Sequence, residues 1–286
     1  MMKQLTLLII LLFSQISTPS EINVERAAAN TDALEKGKLR LRSEGVLLAD
    51  KDGNILYSRN ADTPRPIASV TKLMTALVIL EAKLKLNEVI SITKNDRDLV
   101  KLTGSHLKVG AKLTRKELIY LAVLSSENRA ALALSRTYPG GKRAFITEMN
   151  RKSKTLGMMR TNFIDPAGLS PLNTSTPNDL LLLLEEANKY ALLKEIAGTR
   201  SFVVKPYQRL GKMRYVNTNR FSRNKHWELI LSKTGYINEA GRCLVMKARV
   251  DDMEVTMILL DSYGKLTPFG DANRAREWLK RYRKSA

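Results

Sequence analysis

The tetrad Ser69-Val70-Thr71-Lys72 follows the stiff stretch Thr63-Pro64-Arg65-Pro66-Ile67-Ala68 and opens a strongly apolar segment. A helix with one buried side, ending near Asn87, is predicted by the helical recurrence of apolar residues at Val70, Leu73, Met74, Leu77, Val78, Leu80 and Leu84. If this helix begins at Ser69, Lys72 lies one turn further on, on the same face. A lysine amine in that place makes a serine hydroxyl nucleophilic without a histidine.

The Ser-x-x-Lys spacing carries little information alone, because it recurs at Ser91/Lys94, Ser105/Lys108, Ser222/Lys225 and Ser262/Lys265. Its place at the start of a helix distinguishes Ser69 from these other serines. Whether Ser69 has chemical partners depends on what the rest of the chain brings near it.

Strand patterns lie at both ends of the chain, and helical patterns lie between them. Two apolar runs within residues 45–58 flank Asp52-Gly53 and predict a β-hairpin. Further strands are predicted at Trp227–Lys233, Arg242–Val250 and Glu254–Leu260. We therefore expect an α+β fold, an α/β/α sandwich in which N- and C-terminal helices cover one face of a five-stranded antiparallel sheet. An inserted all-helical lobe, at about residues 88–200, is expected on the other side, with the functional site at the seam.

Within the lobe, residues 88–113 look irregular, and a capping box at Thr114 and Glu117 predicts the start of a helix. That helix is predicted to break at Ser125-Ser126-Glu127-Asn128 and to resume at Arg129. The remaining helices of the chain are predicted at Lys142–Leu156, Leu180–Tyr190 and Asp271–Arg283.

Residues 1–20 have the pattern of a secretory signal peptide. Lys3 precedes an apolar run from Leu5 to Phe13 that is too short to span a bilayer. Cleavage after Ser20 would leave an N-terminal extension at 21–42 and one domain at 43–286, and Ala27–Ala29 offer a second position for cleavage. The signal predicts export to the periplasm, and an uncleaved anchor is the alternative.

The formal net charge of +20 over 286 residues suggests an anionic partner. Nucleic acid, anionic lipid and acidic cell-envelope polymers all attract so basic a protein, and export argues against nucleic acid. Peripheral contact with an anionic envelope surface is therefore expected, through a basic run at Arg274, Arg276, Lys280, Arg281, Arg283 and Lys284. The alternative is that this run is the solvated side of a packed helix and that the charge serves solubility.

Histidine and cysteine are scarce, which argues against several kinds of site. His106 and His226 are the only histidines, and neither belongs to a Ser-His-Asp pattern, so both are expected at the surface or in packing. Cys243 stands alone in an apolar strand pattern, which predicts a buried thiol and no intrachain disulfide. No clustered ligands or glycine-rich phosphate loop are found, so we expect neither a metal nor a cofactor.

Two further triplets carry polar chemistry. Ser126-Glu127-Asn128 lies in the helix break, where a turn can present a hydroxyl and a carboxamide to a cleft. Lys233-Thr234-Gly235 occurs once, at the end of a predicted strand, where glycine leaves room for a ligand backbone. Each triplet alone is more typical of an ordinary turn.

Together, and in this order, the three motifs resemble those of serine β-lactamases and penicillin-binding proteins. The chain most resembles the low-molecular-mass penicillin-binding proteins, serine peptidases of the D-Ala-D-Ala carboxypeptidase A family, and among them the D-alanyl-D-alanine endopeptidases of the penicillin-binding protein 7 type. The resemblance covers roughly residues 43–282, through Arg65–Thr75, Ser125–Ala131, Tyr138–Gly141, Asn217–Asn219, Lys233–Tyr236 and Ala240–Val245. It implies a β-lactamase/transpeptidase-like fold and an acyl-enzyme mechanism.

The resemblance implies that Ser69 attacks the carbonyl of a D-alanyl peptide bond and that Lys72 is its base. Lysine titrates at about 10.4 in water, so Lys72 must be buried and near another positive charge, such as Lys233, to be partly neutral. Which group takes the first proton stays open.

The same resemblance assigns the remaining site residues. Ser126 is expected to relay a proton to the leaving amine, and Asn128 is expected to hold a substrate amide. We also expect Lys233, Thr234 and Gly235 to bind the substrate. An oxyanion hole is implied from the backbone N–H groups of Ser69 and Tyr236.

Four functions fit this pattern. We expect a DD-endopeptidase that cuts D-alanyl–diaminopimelate cross-links of peptidoglycan, with β-lactam antibiotics as covalent inhibitors. A DD-carboxypeptidase that removes terminal D-alanine is the alternative. A β-lactamase is less expected, because Leu169 stands four residues before Asn173, where class A enzymes carry a glutamate. A non-catalytic basic envelope-binding protein is also less expected, because every catalytic position is filled.

Two features favour the endopeptidase over the carboxypeptidase, both by resemblance. The sequence ends at Ala286, directly after the predicted last helix, without the extra C-terminal β domain and anchor of the major carboxypeptidases. Lys265 also stands where those enzymes place an arginine thought to grip a free carboxylate.

Overall fold

The computed structural model describes residues 39–209 and 211–285, with side chains to residue 281. The predicted signal peptide at 1–20 and most of the predicted extension at 21–42 lie outside the described residues. Of the described helices, none is long and apolar enough to cross a membrane.

The described chain contains eleven strands and seven α-helices. The strands are β1 (Gly45–Ala49), β2 (Ile55–Arg59), β3 (Arg65–Pro66), β4 (Val89–Ser91), β5 (Lys112–Thr114), β6 (Thr174–Ser175), β7 (Ser201–Val204), β8 (Met213–Val216), β9 (Glu228–Ile237), β10 (Gly241–Val250) and β11 (Met253–Ser262). The α-helices are α1 (Thr71–Glu81), α2 (Arg115–Leu124), α3 (Asn128–Arg136), α4 (Gly141–Thr155), α5 (Pro177–Ala187), α6 (Ala191–Gly198) and α7 (Thr267–Ser285). Single 3-10 turns occupy Ala68–Val70, Lys94–Asp96, Arg220–Arg223 and Asn238–Ala240.

The five-stranded antiparallel sheet predicted from the sequence is confirmed, in the order β2-β1-β11-β10-β9. β1 pairs with β11 from Gly45↔Leu260 to Ala49↔Thr256, so segments from opposite ends of the chain lie side by side. β9 forms one edge of the sheet and lies against the 3-10 turn that carries Ser69. The edge strand and the turn that carries Ser69 therefore meet at the predicted seam.

Alternate residues of the sheet face two separate apolar cores, as the two-residue period of a strand requires. Leu47, Val245 and Ile258 face the helical lobe. The opposite face packs beneath α7, which buries Ala272, Ala275, Trp278 and Leu279. The first described helix, α1, lies on the lobe side, so the N-terminal helix expected beside α7 is not found among the described residues.

The helix that follows Ser69 begins later than predicted, at Thr71, and ends at Glu81 rather than near Asn87. Ser69 itself lies in the preceding 3-10 turn, because Ala68 has φ +46° and takes the backbone off the α-helical path. Lys72 is in the first turn of α1 and so still follows Ser69 by one turn. Residues 71–79 are buried all round, so α1 is a core helix and not a helix with one buried side.

The lobe differs from its predicted boundaries in small ways. The region expected to be irregular contains the paired strands β4 and β5. The capping box at Thr114 and Glu117 is confirmed at the start of α2. α3 begins at Asn128 rather than at Arg129, because the Glu127 carboxylate caps it by accepting the N–H of Arg129.

Candidate active site

The three motifs meet in one cleft between β9 and the helical lobe. The cleft has a volume of about 400 Å³ and is lined by Ser69, Ser126, Asn128, Thr218, Thr234, Gly235, Tyr236, Arg242, Cys243, Lys265, Pro268 and Phe269. Lys72 and Lys233 lie buried, in hydrogen-bond contact with two of the lining hydroxyl groups. The structure therefore brings together every site residue proposed from the sequence.

Two glycines allow the turn around Ser69 to pack tightly. A Cβ atom at Gly168, which has φ +72°, would lie 1.8 Å from the carbonyl oxygen of Ala68. A Cβ atom at Gly235 would lie 2.9 Å from the carbonyl oxygen of Ile67 and 3.2 Å from the backbone nitrogen of Ser69. Any larger residue at either position would push Ser69 away from β9.

Lys72 makes three hydrogen bonds that fix its amine beside the serine. Nζ lies 2.7 Å from Ser69 Oγ, 2.8 Å from Asn128 Oδ1 and 2.6 Å from the carbonyl oxygen of Ala167. The side chain is fully buried. Neutral Lys72 keeps two donors for the amide and the carbonyl, which frees its lone pair to accept a proton from Ser69.

Burial lowers the pKa of Lys72 from 10.5 to about 7, against the opposing effect of nearby carboxylates, of which Asp165 is the strongest. Burial also lowers the pKa of Lys233 well below 10.5, and the charge of Lys72 lowers it further. Repulsion between two cations is mutual, so each protonated amine disfavours the other. The sequence predicted that burial and the charge of Lys233 would together lower the pKa of Lys72, and in the structure burial is the cause that lowers it.

The second motif presents Ser126 and Asn128 to the cleft. Ser126 has φ +62°, a left-handed conformation that turns the chain between α2 and α3. Its hydroxyl accepts a hydrogen bond from Lys233 Nζ at 3.0 Å. Asn128 bridges two elements, since its Oδ1 accepts from Lys72 and its Nδ2 donates to Thr103 Oγ1 at 2.8 Å.

The carboxylates around Lys72 are already engaged. Asp165 accepts the backbone N–H groups of Ala167, Gly168, Leu169 and Ser170. Glu127 accepts from the hydroxyl of Ser105 and from the N–H of Arg129. Leu169, which the sequence analysis compared with the glutamate of class A β-lactamases, has an apolar, buried side chain. These acids hold loops in place, so they are poorly suited to activate a water molecule.

Sequence reasoning missed several residues of this cleft. Thr218 accepts a hydrogen bond from the Thr234 hydroxyl at 2.7 Å, and the Arg242 guanidinium lies 3.5 Å from the centre of the Tyr236 ring. The Asp165 loop had a local signal, because aspartate before Pro-x-Gly favours a turn closed by its own carboxylate. Thr218 and Arg242 lie in segments that carry the family resemblance, but no local pattern indicated a role in the cleft for either residue.

The predictions for the two histidines and the cysteine agree with the structure. His106 and His226 are both exposed, and the Cys243 side chain is buried with a pKa raised to about 12 by burial. In the described part of the chain, no group of three or more histidine, cysteine, aspartate or glutamate side chains is arranged to hold a metal ion.

The sequence of this chain is similar to those of known D-alanyl-D-alanine peptidases. Residues 31–264 match the model of the S11 peptidase family, described as D-alanyl-D-alanine carboxypeptidase. The chain is 44% identical over 244 residues to the D-alanyl-D-alanine endopeptidase of Pseudomonas aeruginosa, covering 84% of this chain and 78% of that protein. It is 38% identical over 258 residues to the D-alanyl-D-alanine endopeptidase of Escherichia coli K12, covering 90% and 82%.

Solved structures extend the comparison to the fold. The Streptomyces K15 DD-transpeptidase superposes with a TM-score of 0.78 at 30% identity, covering 85% of this chain and 98% of that one. Penicillin-binding protein D2 from Listeria monocytogenes, in its ampicillin-bound form, gives a TM-score of 0.73 at 28% identity, covering 85% and 98%. With its catalytic-type motifs assembled on this shared fold, the chain belongs to the D-alanyl-D-alanine carboxypeptidase family of S11 peptidases.

Proposed function

We propose that this protein is a serine DD-endopeptidase that hydrolyses D-alanyl–diaminopimelate cross-links in peptidoglycan. The observation that carries the proposal is the 2.7 Å contact between Lys72 Nζ and Ser69 Oγ, made by a lysine whose pKa is lowered to about 7. Near neutral pH, a large share of such lysines is uncharged and able to accept the serine proton. Ser69 is therefore the nucleophile and Lys72 its base.

In acylation, Ser69 Oγ bonds to the D-alanyl carbonyl carbon while its proton passes to Lys72. The backbone N–H groups of Ser69 and Tyr236 stabilise the oxyanion, at the place where Gly235 lets β9 approach the serine. The C–N bond then breaks, and the proton held by Lys72 reaches the leaving amine through the Ser126 hydroxyl. Ser69 then carries the D-alanyl group as an ester, and the other strand of the cross-link leaves with a free amine.

In deacylation, water replaces the departed amine and attacks the ester carbonyl. Lys72 accepts the water proton, and Ser69 Oγ recovers a proton as the ester bond breaks and the D-alanyl carboxyl group leaves. Asn128, Lys233 and Thr234 hold the substrate during both steps. Lys233 does so as a hydrogen-bond donor next to the Thr234 hydroxyl, which faces the cleft.

The engaged state of the nearby acids supports β-lactams as covalent inhibitors and argues against a β-lactamase. Asp165 and Glu127 are each bound by backbone N–H groups, and position 169 carries leucine. A penicilloyl group on Ser69 therefore lacks a free carboxylate to activate its hydrolytic water.

The similarities support an endopeptidase over a carboxypeptidase. The endopeptidases of P. aeruginosa and E. coli are 44% and 38% identical to this chain, whereas the D-alanyl-D-alanine carboxypeptidase DacF of Bacillus subtilis is 29% identical. The family description, which names a carboxypeptidase, makes removal of terminal D-alanine the second candidate function.

Export to the periplasm is proposed from the signal pattern at residues 1–20, since the homologues act on the cell wall. Contact of the C-terminal basic run with an anionic surface stays a prediction. Several cations of that run have partners within the chain: Arg274 pairs with Asp271, Lys280 pairs with Glu277, and Arg276 lies over the Trp227 ring. The side chains of Arg283 and Lys284 lie outside the described residues.

A fluorescent penicillin separates the enzyme from a non-catalytic binding protein. We expect covalent labelling of the intact protein and no labelling of Ser69→Ala. Purified cross-linked and uncross-linked muropeptides, with products identified by mass spectrometry, then separate the two peptidase activities. An enzyme that released D-alanine from pentapeptides but left cross-linked dimers intact would contradict the endopeptidase proposal.

A further inference from the structure

A second cavity, of about 730 Å³, adjoins the cleft that contains Ser69. Its wall includes Arg220, Phe221 and Arg223 of a 3-10 turn, Lys225 shortly after that turn, and Phe269 near the start of α7. Phe269 also lines the Ser69 cleft, so the two cavities share a wall. The mechanism described above uses none of the basic residues in this second cavity.

The second cavity is strongly cationic. Arg220, Arg223 and Lys225 line it with exposed side chains, and no carboxylate is among the residues that line it. None of these three cations forms an ion pair with an acid of the described chain. The Arg220 guanidinium lies 6.0 Å from the centre of the Phe269 ring, which orients it at the shared wall. Such a cavity suits a ligand with several carboxylates and some apolar surface.

Its position relative to the cleft indicates which part of the substrate reaches it. Thr218 accepts a hydrogen bond from Thr234. Thr234 follows Lys233, whose amine donates to Ser126, so Thr218 lies on the Ser126 side of the cleft. Arg220 follows Thr218 by two residues. The cavity therefore continues the cleft on the side where Ser126 is proposed to protonate the leaving amine.

We propose that this cavity binds the leaving strand of a cross-link, meaning the stem peptide whose amine is released when Ser69 is acylated. This inference rests on the proposed function. In a cross-link, the leaving group is a peptide that carries further carboxylates, whereas in a carboxypeptidase substrate the leaving group is a single D-alanine. Cations placed beyond the leaving amine therefore favour the longer, more acidic leaving group.

The test uses the full mature protein with the double variant Arg220→Gln/Lys225→Gln. Arg223 is left intact, because its guanidinium donates to the Asn217 carbonyl oxygen. The matched control is Lys142→Gln/Arg143→Gln, which removes two exposed cations from α4, outside both cavities. The measured quantities are kcat/KM for a purified cross-linked muropeptide dimer and the rate constant for acylation by a fluorescent penicillin, which has no leaving strand.

We expect the cavity variant to lose about three- to thirty-fold in kcat/KM for the dimer, since each exposed ion pair changes an equilibrium by up to about five-fold. Penicillin acylation should stay unchanged, and the control variant should match the wild type in both measurements. Raising the salt concentration should weaken dimer hydrolysis by the wild type more than by the cavity variant.

Three results would overturn the inference. They are unchanged dimer hydrolysis in the cavity variant, an equal loss in both measurements, and an equal loss in the control variant. Reduced binding to phosphatidylglycerol vesicles with unchanged dimer hydrolysis would assign the cavity to lipid instead. Failure of the proposed function itself is distinguishable, because the wild type would then leave the dimers intact, whether or not it reacts with penicillin.

Discussion

Lys233 on β9 donates a hydrogen bond to the Ser126 hydroxyl in the helical lobe, with 3.0 Å between Nζ and Oγ. The lysine is 1% exposed, and Nζ also donates to the carbonyl oxygen of Thr234. This bond joins the edge of the sheet to the lobe across the cleft. A buried amine that loses an acceptor pays a desolvation cost, so the two residues should depend on each other.

A double-mutant cycle measures that dependence. Ser126→Ala should lower the free energy of unfolding, and it should lower it less in a protein that already carries Lys233→Met, where the bond is absent. We expect a coupling energy of about 0.5–3 kcal/mol, as for residues in one hydrogen-bond network. The measurement is urea denaturation followed by fluorescence. Additive losses, within about 0.5 kcal/mol, would show that the bond contributes nothing.

Removal of the Lys72 amine should abolish most acylation. Lys72→Met should react with a fluorescent penicillin about 10²–10⁴-fold more slowly than the wild type, because the general base is gone. Lys108→Met is the control, since Lys108 has the same spacing from Ser105 but is exposed and outside the cleft. A Lys72 variant that reacts as fast as this control would exclude the lysine as base.

The acylation rate should depend on pH through Lys72. The uncharged amine is the active form of the base proposed here, and burial holds its pKa at about 7. The second-order rate constant for penicillin should therefore rise with pH through a midpoint near that value and level off above it. Stopped-flow labelling across the neutral range gives the profile. A rate that is flat through this range, or that falls as pH rises, would assign the proton transfer to another group.

Stability should also change with pH, in a direction set by the lowered pKa. Unfolded Lys72 titrates at 10.5 and folded Lys72 at about 7, so between these values the unfolded chain binds more protons. The free energy of unfolding therefore rises with pH across that window. Relative to the wild type, Lys72→Met should be stabilised on the order of 4 kcal/mol at pH 6 and much less at pH 10. Denaturant titrations of both proteins at the two pH values measure this difference. A difference in the free energy of unfolding that is the same at both pH values would contradict the prediction.

Gly168 should resist substitution for a steric reason. In Gly168→Ala the new Cβ atom meets the carbonyl oxygen of Ala68 and the backbone keeps a positive φ, so we expect a loss of about 3 kcal/mol or more in stability together with slower acylation. Gly110→Ala is the matched control. Gly110 also has a positive φ, at +90°, but nothing lies within 4 Å of its Cβ position. The control should lose only about 1 kcal/mol, and equal losses would rule out the steric explanation.

The sequence predicted the sheet and the relative order of the helices well, because hydrophobic period and turn residues are local signals. The lowered pKa of Lys72 could also be predicted, because a lysine acts as a base near neutral pH only if its surroundings lower its pKa. The start of α1 was misplaced by two residues, because the left-handed backbone of Ala68 is imposed by contacts with the loop at Gly168 and with β9. The link from Asn128 to Lys72 was missed for a related reason, since these residues are distant in the chain and meet only after packing.

The pairing of β1 with β11 also constrains when activity can appear. Gly45 pairs with Leu260, so β1 finds this partner in the sheet only after more than 200 further residues have been made. Contacts between such distant segments form slowly, because a long loop must close first. Until β11 fills the gap between β1 and β10, β9 has no fixed place beside Ser69. A nascent or truncated chain that lacks β11 therefore carries Ser69 without the opposite wall of its cleft.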